Sequence, residues 1–307
     1  MTRAVVFAYS EVGVRCVREL LAQDVEIPLL FTHADDPGEY HWFGSVGELA
    51  RSRGLRVETP EDPNTPAWTA AGRATDPDFV FSFYYRHMLG EGWLGLARRG
   101  ALNMHGSLLP RYRGRAPVHW AILRGETETG ASLHYMVAKP DAGNLVDQQA
   151  VPIGPDDTAV VVAGRVADAA VAVLRRNLAG LIAGTAPSRP LDLAAGSYFG
   201  GRKPADGEFQ WTWPATRIHN LVRAVAPPFP GAYASVGGQV VRVHATRLRT
   251  APAAPHGQPQ LTWAGAAPIA VCGDGRQLEL VDAWLGEERL DARACAAHFG
   301  TEPLRLS

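Results

Sequence analysis

Short apolar runs at Val5–Ala8, Ile27–Thr32 and Phe79–Phe83, separated by helix-compatible stretches such as Val12–Leu21 and Val46–Arg53, are what most constrain the fold of this chain. Strands buried on both faces read as unbroken apolar runs, and their alternation with helices favours a mostly parallel sheet with helices on both faces. Gly92–Arg99 is expected as another crossover helix, and Leu102–His105 as the strand that follows it. Sheets of this kind collect their ligands at the carboxyl ends of the strands. Asn103 and His105, which close the last run, stand at such an end.

Further along, Asp156-Asp157-Thr158 supplies capping residues for a helix through Val162, Val166, Ala169 and Val173, whose spacing makes one apolar stripe. That helix closes an expected first domain over residues 1–186. From Gly184 to Gly207 the composition shifts to Gly, Pro, Ser and Ala, which reads as a covering connection, with residues 187–206 as the linker. Residues 207–307 then carry a helix at Pro214–Val225 and β-like runs at Ala232–Ser235, Val240–His244 and Leu278–Val281. Gly237-Gly238 and Asp274-Gly275 are hairpin signals. A small β-barrel is expected there. Phe209-Gln210-Trp211 is expected to bury apolar surface between the two domains.

Composition narrows the partners. The 307 residues contain 30 Lys and Arg against 31 Asp and Glu, a net charge of −1, so no global attraction to nucleic acid or anionic membrane is built in. Cys16, Cys272 and Cys295 are scattered and odd in number, with neither zinc spacing nor a disulfide framework; a reducing cytoplasm is the expected location. The N-terminus opens on strand-like sequence rather than on a basic segment and apolar signal core. The apolar stretch Ala159–Leu174 is broken by Arg165 and Asp168, so no membrane insertion is expected. Tyr9-Ser10-Glu11-Val12-Gly13 lacks the Gly-x-Gly-x-x-Gly of a nicotinamide dinucleotide site, and His33, His41, His119 and His134 lack metal-ligand spacing.

The chemistry concentrates in Asn103-Met104-His105-Gly106-Ser107-Leu108-Leu109-Pro110, continued by Tyr112-Arg113-Gly114-Arg115-Ala116-Pro117. On an extended chain, Asn103 and His105 point to the same side. An amide there can donate to an oxyanion, and an imidazole can carry a proton near neutral pH. Asp141, in Asp141-Ala142-Gly143 after the apolar stretch Ala131–Val137, supplies a carboxylate to orient His105 and favour its cationic form. Ser107–Pro110 is expected to shape a rigid turn, with Leu108 and Leu109 in the core.

These motifs, Asn-x-His, Ser-Leu-Leu-Pro, Arg-Gly and a later Asp-x-Gly, resemble those of the formyltransferases that use N10-formyltetrahydrofolate. The likeness extends over nearly the whole chain. It is closest to the branch that formylates UDP-4-amino-4-deoxy-L-arabinose within bifunctional polymyxin-resistance enzymes, which modify lipid A. Val5-Val6-Phe7-Ala8-Tyr9, Phe31-Thr32-His33, Phe43-Gly44-Ser45-Val46, Phe81-Ser82-Phe83-Tyr84-Tyr85-Arg86-His87, Gly125–Gly130 and Val222–Val225 carry it. The second, NAD-dependent half of those enzymes has no counterpart here.

The resemblance implies a Rossmann-like catalytic domain followed by an oligonucleotide-binding-like barrel, a fold that does not itself imply nucleic-acid binding. It implies Asn103, His105 and Asp141 as the catalytic set, and formyltetrahydrofolate as co-substrate without a metal. His87, Met88 and Leu89 would form one wall of the folate site and Val137, Ala138, Lys139 and Pro140, leading to Asp141, the other, with Arg115 nearby. Another nucleotide-linked amino sugar is an alternative acceptor. Methionyl-tRNA is a second, but His33–Trp42 contains neither Lys nor Arg where the tRNA enzyme is rich in them. A folate or sugar-nucleotide sensor is the non-enzymatic alternative, and retention of all three catalytic groups argues against it.

Overall fold

A computed structural model of the protein describes residues 1–35, 42–250, 258–265 and 267–306. β1 (Arg3–Ala8), β2 (Glu26–Phe31), β3 (Val57–Glu58), β4 (Phe79–Phe83) and β5 (Ala101–His105) run parallel in the order β3-β2-β1-β4-β5. β6 (Arg113–Gly114) stands outside this sheet. β7 (Glu128–Tyr135) and β8 (Leu145–Pro152) extend it past β5 as antiparallel strands. β4 is buried along its whole length and β1 from Ala4 onward, which is why both read as continuous apolar runs. The strand order reverses between β1 and β4, the topological position where such sheets hold ligands.

Helices cover this Rossmann-like sheet. α1 (Ser10–Ala22) follows β1, and α2 (Val46–Ser52) is capped by the Ser45 hydroxyl accepting the Glu48 N–H. α3 (Pro66–Ala74) begins on a proline, whose missing N–H costs a helix nothing at its first position. The expected helix at 92–99 is shorter: α4 covers Glu91–Leu94 only. Gly95 ends it, and the backbone N–H groups of Arg98 and Arg99 turn away to the Pro77 and Asp78 carbonyls, tying the segment beside β4 before β5 begins. Trp93 anchors that short helix. Its ring is fully buried, edge-on to Phe7 and Phe31, and its Nε1–H donates to the Pro63 carbonyl.

α5 (Pro117–Leu123) precedes β7, and α6 (Ala159–Ala183) follows β8. Glu19 of α1 is buried and accepts from Arg175 of α6 at 2.9 and 2.6 Å. The Arg175 hydrogen bond, working against burial, holds the Glu19 carboxyl below its ordinary value of 4.5. A carboxyl depressed in the folded state adds stability above its unfolded pKa and loses it as pH falls through the folded one. Arg175→Ala is therefore expected to lower the melting temperature at pH 7, with the difference from wild type narrowing as pH is lowered below the ordinary carboxyl value and the Glu19 carboxylate is protonated.

The chain separates into two compact units. The first comprises residues 1–118, 128–152 and 162–200, the second 119–127, 153–161 and 201–307. β9 (Tyr198–Phe199), at the end of the first unit, pairs in parallel with β6. In the second unit, α7 (Ala215–Val225) packs on a curled antiparallel sheet. Its strands are β10 (Ala232–Val236), β11 (Gln239–Leu248), β12 (Gln260–Thr262), β13 (Ile269–Val271), β14 (Gln277–Leu285), β15 (Glu288–Arg289) and β16 (Leu304–Arg305). Both hairpin signals hold, Gly237-Gly238 joining β10 to β11 and the Asp274-Gly275 turn joining β13 to β14. α8 (Ala292–Phe299) is capped by Asp291. Phe209 and Trp211 belong to the core of this unit rather than to a seam between domains. Trp211 is fully buried, edge-on to Phe209, and its Nε1–H reaches the Ser235 carbonyl. Among the described residues no helix is long and apolar enough to cross a membrane.

Candidate active site

Asn103 and His105 leave β5 on one face because they are two residues apart. β7 lies antiparallel beside them, with His134 opposite Asn103 and Ser132 opposite His105. Partners opposite one another on paired strands share a face, so four polar side chains gather there. The apolar stretch before Asp141 forms the end of β7, which stops at Tyr135, and a turn brings Asp141 to the site. Asp141 sits in the left-handed region at φ 49°, and Gly143 lies so close to the Tyr135 carbonyl that a β-carbon would overlap it. The glycine of Asp-x-Gly thus lets the chain double back against the end of β7.

Asp141 is the hub. Its Oδ1 lies 3.6 Å from His105 Nδ1, 3.5 Å from His134 Nε2 and 3.4 Å from Asn103 Nδ2, while Oδ2 accepts the Gly114 N–H at 2.8 Å. Burial works to raise this carboxyl. The charge of His105 and the Gly114 N–H outweigh it and hold the group well below the usual carboxylate range. Asp141 is therefore an anion throughout the neutral range.

The two histidines have assignable hydrogens. His105 Nε2 lies 2.8 Å from the Tyr112 carbonyl, which can only accept, so Nε2 carries the hydrogen and Nδ1 is the ring atom open to a proton. The Tyr112 carbonyl, and not Asp141 alone, orients the His105 ring. His134 is turned the other way round. Its Nδ1–H donates to the Tyr135 carbonyl at 2.9 Å, leaving Nε2 to accept from Asn103 Nδ2 at 3.2 Å. The Asn103 amide is thereby aimed with its nitrogen toward His134 and Asp141.

The turn after His105 is held from below. The Ser132 hydroxyl donates to the Ser107 carbonyl at 2.6 Å and accepts the Leu109 N–H at 3.1 Å, and Ser107 Oγ donates to the Arg111 carbonyl at 2.6 Å. Leu109 is buried as expected, whereas Leu108 is half-buried, its side chain lying over Gly130. Gly106 has no room for a side chain, since a β-carbon would overlap the Tyr84 hydroxyl. Ser10, Tyr84, Tyr112, Ala116 and Asp141 all adopt positive φ, from 49° to 63°. Each lies just after a strand or in the signature loop, and such unfavourable conformations persist where surrounding structure enforces them, often at functional sites.

The expected folate-contacting residues lie on the turns after β4 and β7. His87 is exposed and stacks on His33 at 5.0 Å, Met88 is 56% exposed, and Leu89 is buried against Trp93 and its neighbours. The Met88 carbonyl already accepts from Asn64 at 3.0 Å. Val137, Ala138 and Lys139 are exposed and Pro140 is half-buried. Arg115 is exposed, with its guanidinium 3.4 Å from the Arg86 carbonyl. Close by, Arg86 lies over the Tyr9 ring at 4.5 Å, and its N–H donates to His33 Nε2 at 3.0 Å. Burial first, then the charges of His87 and Arg86, push His33 down to about 4, so it is neutral. Among the described residues no group of three or more His, Cys, Asp or Glu could hold a metal.

A family model described as formyl transferase matches residues 20–178, and one described as formyl transferase, C-terminal domain, matches residues 202–298. The chain belongs to the formyl transferase family. Solved structures share the fold. An N-formyltransferase from Helicobacter canadensis, solved with folinic acid and dTDP-3-aminofucose, is 19% identical, with a TM-score of 0.68 over 91% of this chain and 99% of that one. WlaRD, a sugar 3N-formyl transferase solved in the presence of dTDP and 5-N-formyl-THF, is 18% identical, with a TM-score of 0.71 over 94% and 99%. HypX from Aquifex aeolicus, solved with tetrahydrofolic acid, is 17% identical, with a TM-score of 0.61 over 97% of this chain but 47% of HypX.

In this formyl transferase three contributors to the constellation were not singled out from sequence. They are His134, the Tyr112 carbonyl and the Gly114 N–H. Ser132 and His134 have the same parity as Asn103 and His105, a signal that becomes readable only once the antiparallel register of β5 and β7 is known. The backbone groups carry no residue-type signal at all.

Proposed function

We propose that this protein transfers the formyl group of N10-formyltetrahydrofolate to the 4-amine of a nucleotide-linked amino sugar, with UDP-4-amino-4-deoxy-L-arabinose as the acceptor. The observation that carries this reading is the convergence of Asn103, His105 and Asp141, with Asp141 Oδ1 within 3.6 Å of both other side chains. The donor supplies an activated formyl group. His105 Nδ1 takes the proton of the attacking amine, the Asp141 carboxylate beside it stabilises the resulting imidazolium, and the imidazolium returns that proton to N10 as the bond between N10 and the formyl carbon breaks, releasing tetrahydrofolate. Asn103 exchanges its long 3.4 Å bond to Asp141 for the formyl oxygen as negative charge gathers there. Met88 and Val137, 56% and 45% exposed, offer apolar contact to a flat donor ring, and the backbone of His87–Leu89 and of Ala138–Pro140 offers its polar groups. Arg115 meets an anionic or polar part of a ligand.

Charge argues for a sugar over tRNA. Residues 201–307 contain eleven Lys and Arg against nine Asp and Glu, where neutralising several phosphates calls for a concentrated basic stripe. The folinic acid and dTDP-3-aminofucose bound in one similar structure, and the dTDP and 5-N-formyl-THF in another, support the substrate classes. The 4-amine rests on the local likeness at Val5–Tyr9, Phe31–His33, Phe43–Val46, Phe81–His87, Gly125–Gly130 and Val222–Val225. Acceptor choice is placed on the first loop and on Asp36–Trp42, of which residues 36–41 lie outside the described residues. Three buried free cysteines support a reducing, cytoplasmic setting.

The test is competition between UDP-4-amino-4-deoxy-L-arabinose and methionyl-tRNA at equal concentration with formyltetrahydrofolate at physiological salt. Formyl mass is expected on the sugar nucleotide, with negligible formylation of tRNA. Preferential formylation of tRNA would overturn the acceptor and keep the mechanism. Formylation of neither acceptor, nor of other nucleotide-linked amino sugars, would leave the sensor reading in its place.

A further inference from the structure

The connection after α6 reads in the sequence as a cover, yet its strand β9 forms one edge of the support under the catalytic pair. β6 is only two residues long, too short to hold a geometry by itself. On one side of this segment the Tyr112 carbonyl fixes His105 Nε2 and the Gly114 N–H fixes Asp141 Oδ2. On the other, the N–H groups of Arg113 and Arg115 donate to the Ser197 and Phe199 carbonyls, each at 3.0 Å. Histidine and carboxylate are therefore hung from a strip of chain whose opposite edge belongs to residues 197–199.

Ser197 holds that edge at three points. Its N–H donates to the Pro110 carbonyl at 3.3 Å, its carbonyl accepts from Arg113, and its hydroxyl accepts the Tyr112 N–H at 2.9 Å. The residue whose carbonyl sets the His105 ring thus has its own N–H set by Ser197. Tyr112 is nearly buried and stands at φ 57°, a conformation a tyrosine does not adopt unaided. Its ring stacks on Phe199 at 5.3 Å and 14°. Gly114 and Gly196 complete the fit, since a β-carbon on either would overlap the Phe199 or the Pro110 carbonyl. We propose that Ser197 is a positioning residue for formyl transfer, acting through Tyr112 on His105 and through the β6–β9 pairing on Asp141; the catalytic consequence rests on the formyl-transfer reading above.

A merely structural serine would alter stability and leave the His105 hydrogen bond in place. A positioning serine would alter that bond and turnover together. The experiment compares wild type with Ser197→Ala, Ser197→Thr and, as a control in the same connection, Ser188→Ala, which removes a hydroxyl that accepts from Asn144 at 3.0 Å. Two readouts are taken: kcat and KM for both substrates, and the downfield NMR resonance of the His105 Nε2–H, which needs no substrate. Ser197→Ala is expected to lower kcat by roughly tenfold with both KM values within about twofold, because displacements of an ångström are costly at a reacting centre. The Nε2–H signal is expected to be lost to solvent exchange, with both readouts restored in Ser197→Thr and unchanged in Ser188→Ala. Should the alanine variant not fold, Ser197→Cys, with its weakly accepting sulfur, is expected to show the same pattern. A wild-type Nε2–H signal in folded Ser197→Ala or Ser197→Cys overturns the proposal, as does a turnover loss that threonine fails to rescue. Wild type inactive on every sugar tested would count against the acceptor reading, and the NMR result would still decide the role of Ser197.

Discussion

Replacing His105 by alanine is expected to lower turnover by about 10²-fold or more while the protein melts cooperatively as before. The imidazole is buried, its Nε2–H is committed to the Tyr112 carbonyl, and Nδ1 is the one ring atom left to accept a proton. No neighbour can replace it. His134 points its own hydrogen at the Tyr135 carbonyl and its lone pair at Asn103, and Asp141 is held in its anionic form too firmly to act as a base near neutral pH. Steady-state turnover beside thermal melts checks the prediction, and near wild-type activity would remove His105 from the mechanism. Asp141→Asn adds a second reading of the same pair, since it deletes the anion beside His105 Nδ1. A histidine limb of the pH–rate profile left where it stands in wild type would show that Asp141 does not tune the imidazole.

Asn103→Ala is expected to reduce turnover by roughly 10² to 10³, the usual cost of removing one donor to a developing oxyanion. The loss should fall on kcat rather than on KM. An interaction made only as negative charge gathers on the formyl oxygen contributes little to binding the ground state. The amide nitrogen is already directed by His134 and Asp141, so its geometry is set before any substrate arrives. A variant with raised KM and unaltered kcat would reassign Asn103 to substrate binding.

The strand and helix pattern was legible because β1 and β4 are buried on both faces, α1 carries an apolar stripe and α2 carries its own cap in Ser45. Where the sequence expectation ran too long, at residues 92–99, the departure came from tertiary hydrogen bonds to Pro77 and Asp78. Phe209 and Trp211 were legible as buried aromatics, but which surface they bury depends on Ser235 and on the sheet around them. β8 carries mixed burial and polar residues, and it shows no clear period until paired with β7.

By itself the sequence determined the alternation of strand and helix, the hairpin turns of the second unit and the three candidate side chains Asn103, His105 and Asp141, because these depend on local periodicity, turn chemistry and residue type. Tertiary structure alone decided the rest. The antiparallel register of β5 and β7 put His134 opposite Asn103, and the approach of residues 197–199 fixed the strip that holds His105 and Asp141. Register is a relation between distant segments, and a backbone carbonyl or N–H looks the same at every position in a sequence. The atoms that aim the chemistry therefore became visible only in the folded chain.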